Sequence, residues 1–396
     1  MPSESLDVFC YAPKDDPLHR SKWRDHYGDD QMSAFEELVA AGRRAGVDFC
    51  FTISPGLDWT EGDETLLVDK LRAIADTGCV TFGVLWDDVP PGGAELGEMH
   101  ARATATAVDA VGGSRWWTVG TDYAVAGPTP YLEAFCAGLS QEVTVAWTGP
   151  QVVPLDISGA EAQRLHDAVG RKLMLWENFP VNDGPMSGVL HIGPYPKRDP
   201  ALVDASSGVL FNLMPHAVAN RIGVACGARF WRDPSTDRES VWREVVASYP
   251  GLEPLARASR SWVGEPDPDP ELVAWSDAAP DDGRLRAYLE AGCRSGLDPE
   301  LRAELEPWLE AWDVEANAMF MCLDILERGY RSAPRGMAGG VLWTNARRQE
   351  RQVFGIRSAV YPVMQQRGKE TTMDAAGVVV GDNLTDRLAR RALKEL

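Results

Sequence analysis

Apolar residues fall in seven short runs over about the first 215 positions, at 6–12, 47–53, 79–86, 115–120, 142–147, 173–176 and 208–213. Each ends in turn-forming or polar residues, and each is short enough to be a buried strand. Between them, segments 32–46, 64–77, 97–111, 130–139 and 159–169 carry apolar residues at helical spacing. Strand and helix alternate at roughly 30-residue intervals, the signature of parallel βαβ units. So many units in series predict a barrel or a doubly wound sheet. Neither G-x-G-x-x-G nor G-x-x-x-x-G-K-[ST] follows a strand, so a nucleotide-binding reading lacks its loop.

The pattern changes near Tyr249-Pro250-Gly251. Beyond it strands vanish and helices are expected at 282–291, 298–327 and 347–366. Pro266-Asp267-Pro268-Asp269-Pro270 reads as a rigid, exposed linker. Ala338-Gly339-Gly340-Val341-Leu342-Trp343 is expected to break the helical run, and 377–383 to form a strand and turn before a last helix. The division predicted is an α/β domain over 1–250 and a mainly helical domain over 251–396.

In parallel α/β folds chemistry sits at the carboxyl ends of strands. The third run, Cys79-Val80-Thr81-Phe82-Gly83-Val84-Leu85-Trp86, stops at Asp87-Asp88, followed by Val89-Pro90-Pro91-Gly92-Gly93. Two adjacent carboxylates there fit acid–base work on a neutral substrate; a solubilising turn explains them equally well. Other strand ends carry Lys14-Asp15-Asp16, Ser54-Pro55-Gly56, Thr121-Asp122-Tyr123, Trp147-Thr148-Gly149-Pro150, Trp176-Glu177-Asn178 with Asn182-Asp183, and Asn212. Singly, each has a bland reading: Lys14 pairs with a neighbouring Asp, Asn182-Asp183-Gly184 is a turn, and the tryptophans belong to the core. Together, acids, amides, a lysine, a tyrosine and two tryptophans on one rim suit a neutral ligand bearing hydroxyl and amide groups, such as an N-acetylated sugar.

Composition narrows the classes. The 396-residue chain carries a formal net charge of −20, which repels nucleic acid and anionic membranes. No apolar run reaches the roughly 18 residues of a membrane helix, and nothing at the start reads as a signal peptide, so a cytoplasmic location is expected. Seven cysteines without a C-x-x-C pair read as reduced thiols. No cysteine–histidine pair has ligand spacing, and the six histidines are scattered, so neither metal nor cofactor is expected.

The strand-end motifs, taken in order, resemble glycoside hydrolase family 84, the β-N-acetylglucosaminidases that include protein O-GlcNAcases. The likeness begins at Tyr11-Ala12-Pro13-Lys14-Asp15-Asp16-Pro17-Leu18-His19-Arg20 with Trp23-Arg24 and Tyr27, and runs through the motifs above to Asn212-Leu213-Met214. It covers about the first 230 residues. It implies a TIM (β/α)8-type barrel followed by an all-α C-terminal domain, with the site on the barrel's C-terminal rim. It implies an exo-acting, retaining hydrolysis in which the 2-acetamido oxygen of the sugar attacks C1 to form an oxazoline, one of the exceptions to an enzyme nucleophile. By motif position Asp87 would orient the acetamido N–H, and Asp88 would serve as general acid and then base. Lys14, Asn178, Asp183 and Asn212 would bind hydroxyls or the acetamido group, Tyr123 would bond near it, and Thr148 and Trp176 would shape the methyl pocket. The implied partner is an N-acetylglucosamine-bearing glycan or glycoprotein, with no nucleic acid and no membrane. Two close carboxylates cannot both ionise cheaply, which agrees with an acid–base pair.

The sequence departs from the family's pattern at three points. The family's strand before the Tyr-Ala-Pro-Lys-Asp-Asp strand has no counterpart, so seven strands and an open barrel are expected, with the frame starting upstream of Met1 or the barrel closing differently. Gly120 stands where proline is frequent, and Glu177 where an aromatic residue is. The rival readings are an N-acetylglucosamine-binding pseudoenzyme and a hyaluronidase-like glycosidase.

Overall fold

A computed structural model describes residues 6–328, 333–357, 359–367, 370–379 and 381–394. All seven expected strands form: β1 (Val8–Tyr11), β2 (Asp48–Ile53), β3 (Thr81–Leu85), β4 (Arg115–Val119), β5 (Val143–Trp147), β6 (Met174–Glu177) and β7 (Val209–Phe211). They make one sheet in sequence order, parallel from β1 through β6. Helices α1 (Asp29–Ala45), α2 (Glu64–Asp76), α3 (Ala94–Val111), α4 (Pro130–Ala137), α5 (Gly159–Val169) and α6 (Ala201–Ala205) supply the crossovers. Sheet order therefore follows chain order from β1 to β7, the arrangement of a TIM-like barrel short of one strand.

The chain divides into two compact units. The first comprises Met1–Glu177, Arg198–Leu210 and Met364–Met373; the second comprises Asn178–Lys197, Phe211–Val363 and Asp374–Leu396. In the first, an interior cluster of Cys50, Leu85, Trp117, Val119, Tyr123, Ala124 and Ala146 fills the sheet's concave face. Gly83 in β3 makes room for it: a Cβ there would lie 2.8 Å from Trp117 Nε1. Outside the sheet, Phe35 of α1 packs edge-on against Tyr11, Tyr27 and Phe51. These are the large aromatic areas that dominate burial.

The second unit holds α7 (Asn220–Arg232), α8 (Arg238–Ala247), α9 (Glu253–Ala258), α10 (Pro270–Asp277), α11 (Arg284–Ala291), α12 (Pro299–Arg328), α13 (Ala333–Arg347) and α14 (Leu384–Leu393). Strands β8 (Ala359–Arg367) and β9 (Glu370–Val379) form a separate two-stranded sheet. Three expectations need correction here. Residues 347–366 are not a helix, since β8 begins at Ala359. The Gly339-Gly340 pair does not interrupt α13. Pro266–Pro270 is not an exposed linker, because Asp269 is 5% exposed, caps α10 and pairs with Arg257 at 2.9 Å. At the tail, Val380 lies outside the described residues; β9 and α14 bracket it, and Asn383 caps α14. No helix among the described residues is long and apolar enough to cross a membrane.

Candidate active site

The loop after β3 carries Asp87 and Asp88. Trp86 anchors its first residue: the ring is fully buried, stacks on His100 at 4.1 Å and donates to Thr104 at 2.9 Å. Thr121 Oγ1 donates to Trp86 O at 3.0 Å, while Thr121 N donates to Tyr131 Oη, also at 3.0 Å. The Tyr131 hydroxyl also lies 2.7 Å from His100 Nδ1, and burial keeps His100 neutral. Gly120 is explained by the same ring, since a Cβ there would lie 2.8 Å from Tyr131 Cε1. Proline does not fit.

The two acids sit in different surroundings. Asp87 keeps 16% of its side chain exposed, and its Oδ1 is buried with no hydrogen-bond partner. Burial, then the neighbouring Asp88, pushes its carboxyl up to about 6, against the pull of Arg20, its own backbone N–H and Lys14. Asp88 is 42% exposed. Its Oδ1 accepts from Tyr123 Oη at 2.9 Å and its Oδ2 from Arg20 at 3.1 Å. Asp88 has φ of 57°, in the left-handed region that non-glycine residues seldom adopt and that clusters at functional sites. Tyr123 is buried, and Thr148 holds it in place, donating from N to Tyr123 O at 2.8 Å, while the Thr148 hydroxyl reaches Gln151 O at 2.9 Å.

Arg20 received no role from the sequence, although it closes the Tyr11–Arg20 motif. Its loop is braced. Buried Lys70 of α2 donates to Leu18 O, Trp23 O and Asp25 O at 2.6–2.8 Å. His19 donates from Nε2 to Thr52 Oγ1 at 2.9 Å, because Thr52 spends its own hydrogen on Tyr11 O. Asp16 is structural: it accepts from Tyr11 Oη, Tyr27 Oη and Leu18 N, donors that outweigh burial and lower its pKa. Lys14 is exposed on this loop and within electrostatic reach of Asp87. Lys70 was legible in principle, as a cation amid Leu67, Val68, Leu71 and Ile74 on the buried helix face.

Trp147 is core, with Nε1 on Val125 O at 3.0 Å, whereas Trp176 is half-buried edge-on to Trp117. Glu177 replaces an aromatic residue because it meets Arg198 in a two-pronged buried pair at 2.8 and 2.9 Å. In the second unit, Asn212 Nδ2 donates to Asn178 Oδ1 at 2.8 Å, and Val181 N donates to Asn212 O at 3.0 Å. Asn220 clamps the next turn by bonding both N and O of Met214. Asp183 is half-buried at the start of the Gly184–Met186 turn. The first unit thus brings Asp87, Asp88, Tyr123 and Arg20 together, and the second brings Asn178 to Asn212. Among the described residues no group of three or more His, Cys, Asp or Glu could hold a metal ion.

A family model described as beta-N-acetylglucosaminidase matches residues 1–261. The chain belongs to the beta-N-acetylglucosaminidase family. Among curated proteins of the family it resembles the protein O-GlcNAcases of Rattus norvegicus and Mus musculus, each 27% identical over 259 residues. Those alignments take in 61% of this chain and 28% of each relative, so the chain spans less than a third of their length. A solved structure of an aspartate-to-asparagine variant of the Thermobaculum terrenum O-GlcNAc hydrolase superposes with a TM-score of 0.80. That likeness covers 100% of this chain and 88% of the other at 22% identity, and it speaks for the fold.

Proposed function

We propose that this chain hydrolyses terminal β-linked N-acetylglucosamine from a glycan or glycoprotein, with retention and with the substrate's own acetamido group as nucleophile. Family membership supports the reaction class. The observation that carries the reading is the environment of Asp87, whose buried Oδ1 is an acceptor with no donor. An acetamido N–H is the complementary group, and satisfying a buried acceptor is worth about 1–3 kcal/mol.

In this mechanism the Asp87 carboxylate accepts the acetamido N–H and aims the carbonyl oxygen at C1. The C1–O bond to the aglycone breaks as the new C1–O bond closes the oxazoline. Asp88 gives its proton to the departing oxygen. Asp88, now a carboxylate, takes a proton from water; the water oxygen attacks C1, the oxazoline opens, and the acetamido group is restored. Tyr123 orients Asp88 from its Oδ1 side. We assign Lys14, Asn178, Asp183 and Asn212 to the hydroxyls and acetamido group, and Trp176 with Thr148 to the walls of the methyl pocket.

The test is turnover of aryl N-acetyl-β-glucosaminides of graded leaving-group acidity by the full chain and by D88N. Proton donation matters most for poor leaving groups, so D88N is expected to lose about 10²–10⁴-fold on these and far less on activated ones. Wild-type binding of N-acetylglucosamine without turnover would sink the hydrolase reading in favour of a binding protein.

A further inference from the structure

We propose that Arg20 is the positioning residue of the carboxylate pair: it holds Asp88 as the anion in the empty site and transfers its charge to Asp87 when the sugar binds. The proposal rests on the hydrolase reading above. Its basis is a mismatch between resting geometry and required chemistry. Both oxygens of Asp88 receive donors, from Tyr123 at 2.9 Å and Arg20 at 3.1 Å, an arrangement that suits a carboxylate and leaves no acceptor for an acid's proton. Asp87 has the opposite surroundings, with a buried oxygen lacking any donor. The resting proton therefore belongs on Asp87, whereas the reaction needs it on Asp88.

Arg20 is built to exchange them. Its two terminal nitrogens reach the two acids, Nη2 at 3.1 Å from Asp88 Oδ2 and Nη1 at 3.8 Å from Asp87 Oδ2. An acetamido N–H arriving at Asp87 stabilises the carboxylate there. The proton then leaves Asp87 and joins Asp88, the guanidinium shifts its closer contact to Asp87, and net charge is unchanged. The other charged or titratable groups facing the pair are few. Lys14 comes from the same loop and Tyr123 from the loop after β4; His19, beside Arg20, is held neutral by burial, and Asp16 is engaged by Tyr11 and Tyr27. The Lys70 and His19 anchors keep this loop from carrying Arg20 away.

The experiment compares wild type, R20Q and R20K by the pH dependence of kcat/KM on an aryl N-acetyl-β-glucosaminide. It adds a ¹³C-carboxyl titration of the aspartates, assigned with D87N and D88N. Removing the cation favours the protonated form of both acids. R20Q is expected to move both limbs of the bell to higher pH by about one unit, and to lose roughly tenfold on the acidic side. R20K should restore most of the position. A purely structural role would lower the rate at every pH and leave both limbs in place, and that result overturns the proposal. The carboxyl titration needs no turnover: an Asp87 signal titrating at the same pH in R20Q and wild type also overturns it. An inactive wild type with a shifted Asp87 signal in R20Q would instead remove the hydrolase reading and keep Arg20's hold on the pair.

Discussion

At the scale of single residues, the chain tolerates few changes where charge is buried. Arg198 and Glu177 each leave only 1% of their side chains exposed, and their two-pronged contact is matched by Arg198 Nη1 on Pro154 O at 3.1 Å. R198M alone strands a buried carboxylate and is expected to cost about 3–5 kcal/mol, read as a fall in chemical-denaturation midpoint at unchanged slope. The double variant R198M/E177L should recover most of it, and an equal loss in both would show that the pair's charge is not what matters. Tyr123 offers a second check. Y123F removes one donor to the Asp88 carboxylate, which favours its protonated form and should move the alkaline limb of the kcat profile upward, since with sugar bound the proton resides on Asp88. An unmoved limb would detach Tyr123 from the acid. The acid pair, Tyr123 and the asparagines were legible because each occupies a strand end. Arg20 was not, and for Lys70 only its place on a buried helix face was, since the partner a cation reaches, a distant carboxylate or carbonyl, is not recorded by spacing along the chain.

At the scale of elements, the loop from Pro17 to Tyr27 has little regular structure and relies on borrowed bonds. Lys70 supplies three, to Leu18 O, Trp23 O and Asp25 O, from a side chain only 1% exposed. K70M preserves shape and removes the donors; a loss of about 3 kcal/mol is expected, with faster amide exchange confined to this loop and to Ser54, whose N–H bonds His19 O. Protection lost evenly over the first unit would point to a general packing defect instead. Most strand and helix positions in the α/β region were readable because short apolar runs alternate there with period-3.6 segments; the five-residue α6 is too short to show a period. The misreadings beyond residue 330 have local causes. Val360, Tyr361 and Val363 favour extended backbone and Pro362 breaks a helix, and together they outweigh the helical spacing of charges there. Gly339 and Gly340 cost α13 about 1 kcal/mol each, which does not stop a 15-residue helix tied by Trp343 Nε1 to Asp386 at 2.9 Å.

At the scale of the whole molecule, acid stability follows from histidines that fold as neutral groups. In the first unit burial lowers His19 to about 4, His100 to about 3 and His166 to about 4. Each binds a proton more readily unfolded, near pH 6.5, so its contribution is complete above that pH and is lost as pH falls toward the folded value. Asp87 acts in the opposite sense, because its raised value lets the folded state hold a proton between about 6 and 3.8. His191 of the second unit, also lowered to about 4 by burial, adds to these three histidines, and together they outweigh Asp87, so unfolding takes up protons near pH 5 and stability falls as pH falls there. The thermal midpoint should fall steeply from pH 6.5 to 4.5, and less steeply in H100Q. A flat midpoint over that range would mean these histidines are charged in the fold. The seven-strand order was readable from the count of βα units. The interleaving of segments within the two compact units was not, because it depends on contacts between segments far apart in sequence.

The left-handed backbone at Asp88 also makes the site suited to chemical rescue. Glycine adopts that conformation at no cost, so Asp88→Gly removes the carboxylate and leaves the turn intact. The space left beside C1 would then admit a small external anion. With an activated aryl glycoside, azide should intercept the oxazoline and release a β-glycosyl azide, a product whose configuration records retention directly.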